Sequence, residues 1–67
     1  MKPEIFSGRE KTYDIFKRFP EGPIWVQTAE GIEQVQECLI SLVLRSPGEY
    51  FAYDLLKATV VAEFSSL

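Results

Sequence analysis

Hydrophobic and polar positions follow a helical period in one stretch of this 67-residue chain, from Gly31 to Arg45. The apolar residues of that stretch recur at intervals of three and four, which places them on one face of an α-helix. They are Ile32, Val35, Leu39, Leu42 and Val43. Gly31 is a suitable N-cap, and Pro47 predicts the end of the helix because proline cannot continue the helical hydrogen bonds. Ile40 and Leu44 lie beside this apolar face and widen it, so we expect another surface to cover them.

Before the helix, an aromatic segment and a glycine-containing turn predict a first β-hairpin. Residues 13–19 favour a strand because they are rich in aromatic side chains, and the alternative is a helix of two turns. The turn at residues 20–22, Pro-Glu-Gly, leads into a second strand at residues 24–29. The register that this turn sets pairs Phe16 with Val26.

After the helix, two further segments predict a second hairpin. Strands at residues 49–54 and 59–64 flank a turn at residues 55–58, with Asp54 paired to Thr59. The chain is therefore expected to adopt an α+β fold of ββαββ order, a four-stranded and mainly antiparallel sheet with one helix on one face. The strand order stays open because the connection through the helix permits several. The predicted core beneath the helix consists of Phe16, Ile24, Val26, Phe51, Tyr53, Val60, Ala62 and Phe64.

Two short motifs flank the predicted helix. They are Trp25-Val26-x-x-x-Glu30-Gly31 before it and Ser46-Pro47-Gly48-Glu49-Tyr50-Phe51 after it. Over residues 13–64 this pattern resembles a group of short, uncharacterised bacterial ββαββ domains. The resemblance implies the fold and brings no activity with it, and Leu55-Leu56 departs from the polar turn expected there.

Composition and charge narrow the function classes. Seven Lys and Arg residues against ten Asp and Glu residues give a formal net charge of −3, which argues against nonspecific binding to nucleic acid and to anionic membranes. No apolar run approaches the roughly 20 residues that span a bilayer, and no signal-peptide pattern is visible. The single cysteine fits a reducing compartment, so we expect a cytoplasmic protein. We divide the chain into a flexible N-terminal arm, residues 1–12, and a single small domain, residues 13–67.

The residues that carry most enzyme chemistry are missing or badly placed. The chain has no histidine, which removes the commonest general base and transition-metal ligand. Cys38 lies in the middle of the predicted helix, where nothing activates a thiol. Glu30, Glu33 and Glu37 share a helix side but lack the loop of a calcium site. We therefore expect no enzymatic activity, no cofactor and no metal.

The outer sheet face, which a single helix leaves uncovered, is the strongest functional candidate. The side chains that the predicted register assigns to it are Tyr13, Ile15, Lys17, Trp25, Tyr50 and Val61, and the helix flank adds Ile40 and Leu44. Exposed aromatic patches typically mark protein–protein interfaces. We expect a non-enzymatic interaction module that self-associates as a homodimer. The alternatives are coverage by the N-terminal arm and single-stranded nucleic-acid binding, in which Trp25, Tyr13 and Lys17 hold the bases and phosphates.

Overall fold

A computed structural model describes residues 11–66 as a four-stranded antiparallel sheet with one helix packed against it. The elements are β1 (Thr12–Lys17), β2 (Ile24–Glu30), α1 (Ile32–Arg45), β3 (Glu49–Asp54) and β4 (Thr59–Ser65). The α+β fold and the ββαββ order predicted above are confirmed. Of the predicted arm, residues 1–12, the first ten residues lie outside the described part of the chain. Thr12, the last residue of that arm, belongs to β1.

The sheet order is β2-β1-β3-β4, so the two hairpins meet through their first strands. β1 and β3 pair antiparallel in the centre, with Phe16 opposite Phe51 and Ile15 opposite Ala52. β2 and β4 form the two edges. Within the described part of the chain, no strand pairs with the outer side of either edge.

Both ends of α1 lie where the sequence predicts them. Gly31 is the N-cap with φ of 85°, a left-handed conformation that glycine adopts far more readily than residues with a side chain. The Gln34 side-chain oxygen accepts a hydrogen bond of 2.7 Å from the Glu30 amide, which satisfies one donor at this end. At the other end the Ser46 amide donates to the Leu42 carbonyl at 2.8 Å.

The core lies between α1 and the sheet face that carries the smallest side chains. Val35, Leu39 and Val43 of the helix are buried, as predicted, and they pack over Ile15 of β1. Around that isoleucine lies one alanine from each of the other strands: Ala29, Ala52 and Ala62. Small side chains let the helix backbone approach the sheet closely, and every buried methylene contributes about 0.8 kcal/mol.

The predicted faces of the two central strands, β1 and β3, are wrong. Tyr13, Ile15, Lys17 and Tyr50 were expected on the outer face, yet Ile15 is fully buried and Tyr50 is 3% exposed beneath the helix. Of the predicted core, only Val26 and Ala62 pack against the buried cluster. The residues predicted to be core that lie outside this cluster are Phe16, Ile24, Phe51, Tyr53, Val60 and Phe64.

A one-residue register shift in each hairpin changes which residues of the edge strands share a face with the central strands. Ile15 pairs with Gln27 but Phe16 pairs with Trp25, so Val26 is the extra residue of a bulge in β2. In the second hairpin Asp54 pairs with Thr59 as predicted, but Val61 is skipped and Ala52 pairs with Ala62. Because side chains alternate between faces, each shift reverses the residues beyond it relative to β1 and β3. Trp25, Ala62 and Phe64 therefore keep their predicted faces, although the faces of the central strands are exchanged.

A salt bridge ties the start of β1 to the end of β3. Lys11 Nζ lies 2.5 Å from Asp54 Oδ2, and the Asp54 side chain is only 3% exposed. Asp54 Oδ1 also accepts hydrogen bonds from the amides of Leu56 and Lys57, at 3.0 and 3.3 Å, which orders the β3–β4 turn. Hydrogen bonding from Lys11 lowers the pKa of Asp54, with a smaller contribution in the same direction from the turn amides.

Truncating a buried helix residue tests the helix register. Leu39→Ala should lower the free energy of unfolding by about 2–5 kcal/mol because it removes buried contacts and leaves a cavity. Ser41→Ala, on the exposed side of the same helix, should change it by less than about 0.5 kcal/mol. Urea unfolding followed by circular dichroism measures both. Equal destabilisation by the two substitutions would contradict the register.

The Lys11–Asp54 pair predicts a loss of stability in acid. The pKa of Asp54 lies below its ordinary value of 3.8, so its contribution is complete above pH 3.8 and disappears as the pH falls through the lowered pKa. Asp54→Asn should therefore destabilise the domain at pH 7, and its difference from the wild type should shrink as the pH falls through the lowered pKa. Urea unfolding of both proteins across this range isolates the contribution of Asp54 from those of the other carboxylates. A difference that stays constant with pH would refute the assignment.

Candidate functional site

The outer face of the sheet carries an aromatic cluster made of side chains that the sequence predicted to be core. The rings of Phe16 and Phe51 stack with centroids 5.2 Å apart and planes 13° apart. Tyr53 meets Phe16 edge to face at 6.4 Å. These geometries are the favoured ones for aromatic pairs, so the outer face is a second packed layer.

Arg18 covers the centre of this aromatic cluster. Its guanidinium carbon lies 4.4 Å from the centroid of the Phe51 ring, within the range of a cation–π contact. Glu63 Oε2 accepts a hydrogen bond from Arg18 Nη2 at 3.4 Å, and Glu49 Oε1 lies 4.0 Å from Arg18 Nε. With the arginine in place Phe51 is only 6% exposed although no helix covers it. The central part of the outer face is therefore closed by this chain's own residues.

Trp25 lies at the β2 side of the same face. It pairs with Phe16 across the sheet, its side chain is 54% exposed, and its Nε1 donates a hydrogen bond of 3.2 Å to Asp14 Oδ1. The bulge at Val26 places Trp25 on this face, although the unshifted register would have placed it opposite Lys17. Trp25 is thus the most exposed aromatic side chain of the described residues, with its polar edge already bonded.

Four of the predicted surface residues instead lie on the helix side of the sheet. Ile15 and Tyr50 are buried beneath α1, and Tyr13 packs against the same cluster. Lys17 Nζ donates to Ser46 Oγ at 2.9 Å and lies 5.3 Å from the centroid of the Tyr50 ring. The Tyr50 hydroxyl donates to the Ser46 carbonyl at 2.5 Å, so Lys17 and Tyr50 fasten the C-terminal end of α1 to the sheet.

Ile40 and Leu44 are exposed on the helix flank, as the sequence predicts, and the structure adds Phe64 beside Ile40. We call these three residues the β4 flank. Leu44 is 78% exposed, Ile40 47% and Phe64 45%. Ile40 and Phe64 line a groove of about 310 Å³ between α1 and β4. Phe64 pairs with Tyr50 and thus lies on the helix side of the sheet. Only knowledge of the strand order could have placed it next to Ile40.

The remaining predicted or exposed residues do not join the β4 flank. Val61, 37% exposed, is the bulged residue of β4. Leu55 and Leu56 are exposed in the β3–β4 turn, where the Asp54 carboxylate bonds the Leu56 amide. The half-buried Cys38 Sγ accepts a hydrogen bond of 3.2 Å from Nε2 of the Gln27 side chain.

Residues 11–66 contain no group of three or more Cys, Asp or Glu side chains placed to hold a metal ion. Glu30, Glu33 and Glu37, which the sequence brings to one side of α1, line a shallow depression at the start of the helix. In the same described range, no helix is long and apolar enough to cross a membrane.

Removing the arginine that covers Phe51 tests whether the outer face is a packed layer. Arg18→Ala should lower the free energy of unfolding by about 0.5–1 kcal/mol because it removes a cation–π contact and exposes the ring. Glu63→Gln removes only a solvent-exposed ion pair, so it should lower the free energy of unfolding by only about 0.2 kcal/mol. Urea unfolding at low and high salt measures both. If Glu63→Gln costs as much as Arg18→Ala, the ion pair rather than the ring contact holds Arg18 in place.

No family model, curated protein or solved structure matches this chain. The geometry of the described residues is therefore the basis on which a function is argued.

Proposed function

We propose that this chain is a non-enzymatic protein-interaction module that self-associates as a homodimer through the β4 flank. The observation that carries the proposal is the exposure of Leu44, Ile40 and Phe64 together. Ile40 and Leu44 are four positions apart in the chain and so lie on one side of the helix, and Ile40 lines a groove together with Phe64. Contiguous apolar side chains at the margin of a small domain are typical of an interface.

The outer face is less accessible to a binding partner than the β4 flank is. Arg18 and its two glutamates already cover Phe51, so a partner would have to displace these contacts before it reached the ring. Trp25 is accessible, but its indole nitrogen is already bonded to Asp14. The β4 flank has no comparable cover among the described residues, and its apolar atoms are open to a second molecule.

The charges of the outer face also weigh against binding of single-stranded nucleic acid there. Asp14, Glu49 and Glu63 surround the aromatic cluster, and the side chain of Arg18 is shared between two of them. Lys17, which the sequence suggested for phosphate contact, lies on the opposite side of the sheet against Ser46. Phosphate binding requires cations that are free to replace counterions. We therefore place self-association first and advance no second function.

Two substitutions of exposed residues distinguish the β4 flank from the outer face. Leu44→Glu should yield a monomer, because it buries a carboxylate in the proposed interface, and Trp25→Glu should leave the dimer intact. Both side chains are more than half exposed, so the monomer fold should survive each change, which circular dichroism checks. Size-exclusion chromatography with light scattering, over a concentration series, gives the mass of each variant.

Three results would contradict the proposal. A wild-type chain that stays monomeric at the highest soluble concentration would remove self-association altogether. A dimer lost with Trp25→Glu but retained with Leu44→Glu would move the interface to the outer face. Saturable binding of a labelled oligonucleotide at low salt, lost with Trp25→Ala, would favour the nucleic-acid function instead.

A further inference from the structure

We propose that residues 1–10 of this chain fold back over the β3–β4 turn and cover its two exposed leucines. Leu55 is 68% exposed and Leu56 88%, the highest value among the large apolar side chains of the described residues. We call residues 55–58 the leucine turn. It is separate from the β4 flank, so the inference goes beyond the proposed self-association and does not depend on it.

The leucine turn is held in one conformation although it presents apolar side chains to water. Asp54 Oδ1 accepts hydrogen bonds from the amides of Leu56 and Lys57, and Asp54 Oδ2 accepts one from Lys11. Ala58 has a left-handed conformation with φ of 53°, which residues other than glycine rarely adopt. An ordered turn loses little further entropy when another segment packs on it, so it is suited to docking.

The described part of the chain begins beside this turn. Asp14 pairs with Tyr53, and the same register brings Lys11 level with the first residues of the leucine turn. The ammonium group of Lys11 donates to Asp54, and its carbonyl accepts a hydrogen bond of 2.7 Å from the Gly31 amide. The side chain and the carbonyl of Lys11 are therefore both fixed. The preceding segment must leave the sheet next to the two leucines.

The sequences of the two segments are complementary. In residues 1–10 a large apolar pair follows an acid, in the order Glu4-Ile5-Phe6, whereas in the turn such a pair precedes a base, in the order Leu55-Leu56-Lys57. When the two segments run in opposite directions, the acid meets the base and the two apolar pairs meet each other. The contacts of this arrangement are Glu4 with Lys57, Ile5 with Leu56 and Phe6 with Leu55.

The four residues between Phe6 and Lys11 are suited to reversing the chain. They are Ser7, Gly8, Arg9 and Glu10. Serine and glycine are favoured in turns, and four residues is a common length for a loop that joins two antiparallel segments. The connection is therefore long enough to bring the apolar pair back over the leucine turn.

The other exposed apolar surfaces lie at the opposite end of the sheet. Trp25 pairs with Phe16, five positions from Lys11 along β1. Phe64 of the β4 flank lies level with Lys17, one position further. At roughly 3.3 Å per residue these separations are about 16 and 20 Å. The four-residue connection would have to be almost fully extended to carry the apolar pair that far, and it could not then form a turn.

Disulfide formation locates residues 1–10 on the domain. In a Cys38→Ser background, Phe6→Cys is combined in turn with Leu55→Cys, Trp25→Cys or Leu44→Cys, which sample the leucine turn, the outer face and the β4 flank. All three partner side chains are more than half exposed, so accessibility alone does not favour one. At equilibrium in a glutathione buffer, the intramolecular disulfide with Leu55→Cys should be at least about tenfold more stable than either of the others. Mass spectrometry after thiol alkylation measures each fraction.

A double-mutant cycle tests a second contact of the same arrangement. A leucine that is 88% exposed should be replaceable without loss, but when it is covered Leu56→Ala should raise the unfolding equilibrium constant about fivefold. Ile5→Ala should have a similar effect, and the double variant should be no less stable than either single variant. Lys2→Ala, outside the proposed contact, is the control and should leave the constant unchanged. Urea unfolding at one low protein concentration measures all of these variants against the wild type.

Each alternative gives a different result. Most stable closure with Trp25→Cys or Leu44→Cys would place residues 1–10 on the outer face or on the β4 flank and overturn the inference. Equal closure at all three sites, or a Leu56→Ala variant as stable as the wild type, would show that the leucine turn is uncovered and also overturn it. A covalent dimer in place of the intramolecular disulfide would assign the cover to a second copy and overturn the contact within one chain. The mass of the wild type by light scattering decides the proposed self-association separately.

Discussion

One helix can cover only one face of a sheet, and the choice of that face determines most of this structure. The helix packs over Ile15 and three alanines, one from each of the other strands. Large aromatic side chains in those positions would hold the helix away from the sheet and leave voids, which a core packed at crystal-like density does not tolerate. The aromatic residues of β1 and β3 are consequently left on the opposite face.

The outer face is stabilised by a different kind of contact. Phe16 and Phe51 stack on each other, and Arg18 lies over Phe51 where a second helix would lie in a larger protein. Arginine suits this position because its planar guanidinium covers a ring and still bonds carboxylates at its rim. A small domain thereby buries aromatic area on both faces, which matters because a chain of this size has a stability margin of only about 3–5 kcal/mol.

The sequence predicts the elements well because their signals are local. Gly31 and Pro47 mark the helix ends through backbone conformation alone, and the pairing of Asp54 with Thr59 follows from the turn between them. The two sheet faces could not be assigned in the same way. Both faces carry apolar residues, and the bulges at Val26 and Val61 occur at β-branched residues that also suit a regular strand. A bulge adds one residue without a compositional signal, yet it reverses the face of those beyond it.

Only part of the candidate surface could be predicted from the sequence. The helical period identified Ile40 and Leu44, because it shows which apolar residues lie outside the buried face of the helix. Phe64 was predicted to lie in the core, and its exposure was missed because it depends on the strand order, which places β4 at an edge. The function of a surface that spans two elements is therefore harder to read than either element. It depends on contacts between residues that are far apart in the chain.

The bulges have a further consequence, for the two open edges of the sheet. A sheet with two regular, open edges can add copies head to tail without limit, as fibres do, because a heterologous contact leaves a new edge free. Here each edge strand is interrupted at its bulge, which locally breaks the regular row of hydrogen-bonding groups. An interrupted edge is a poor template for another strand, so the two bulges oppose open-ended growth of the sheet.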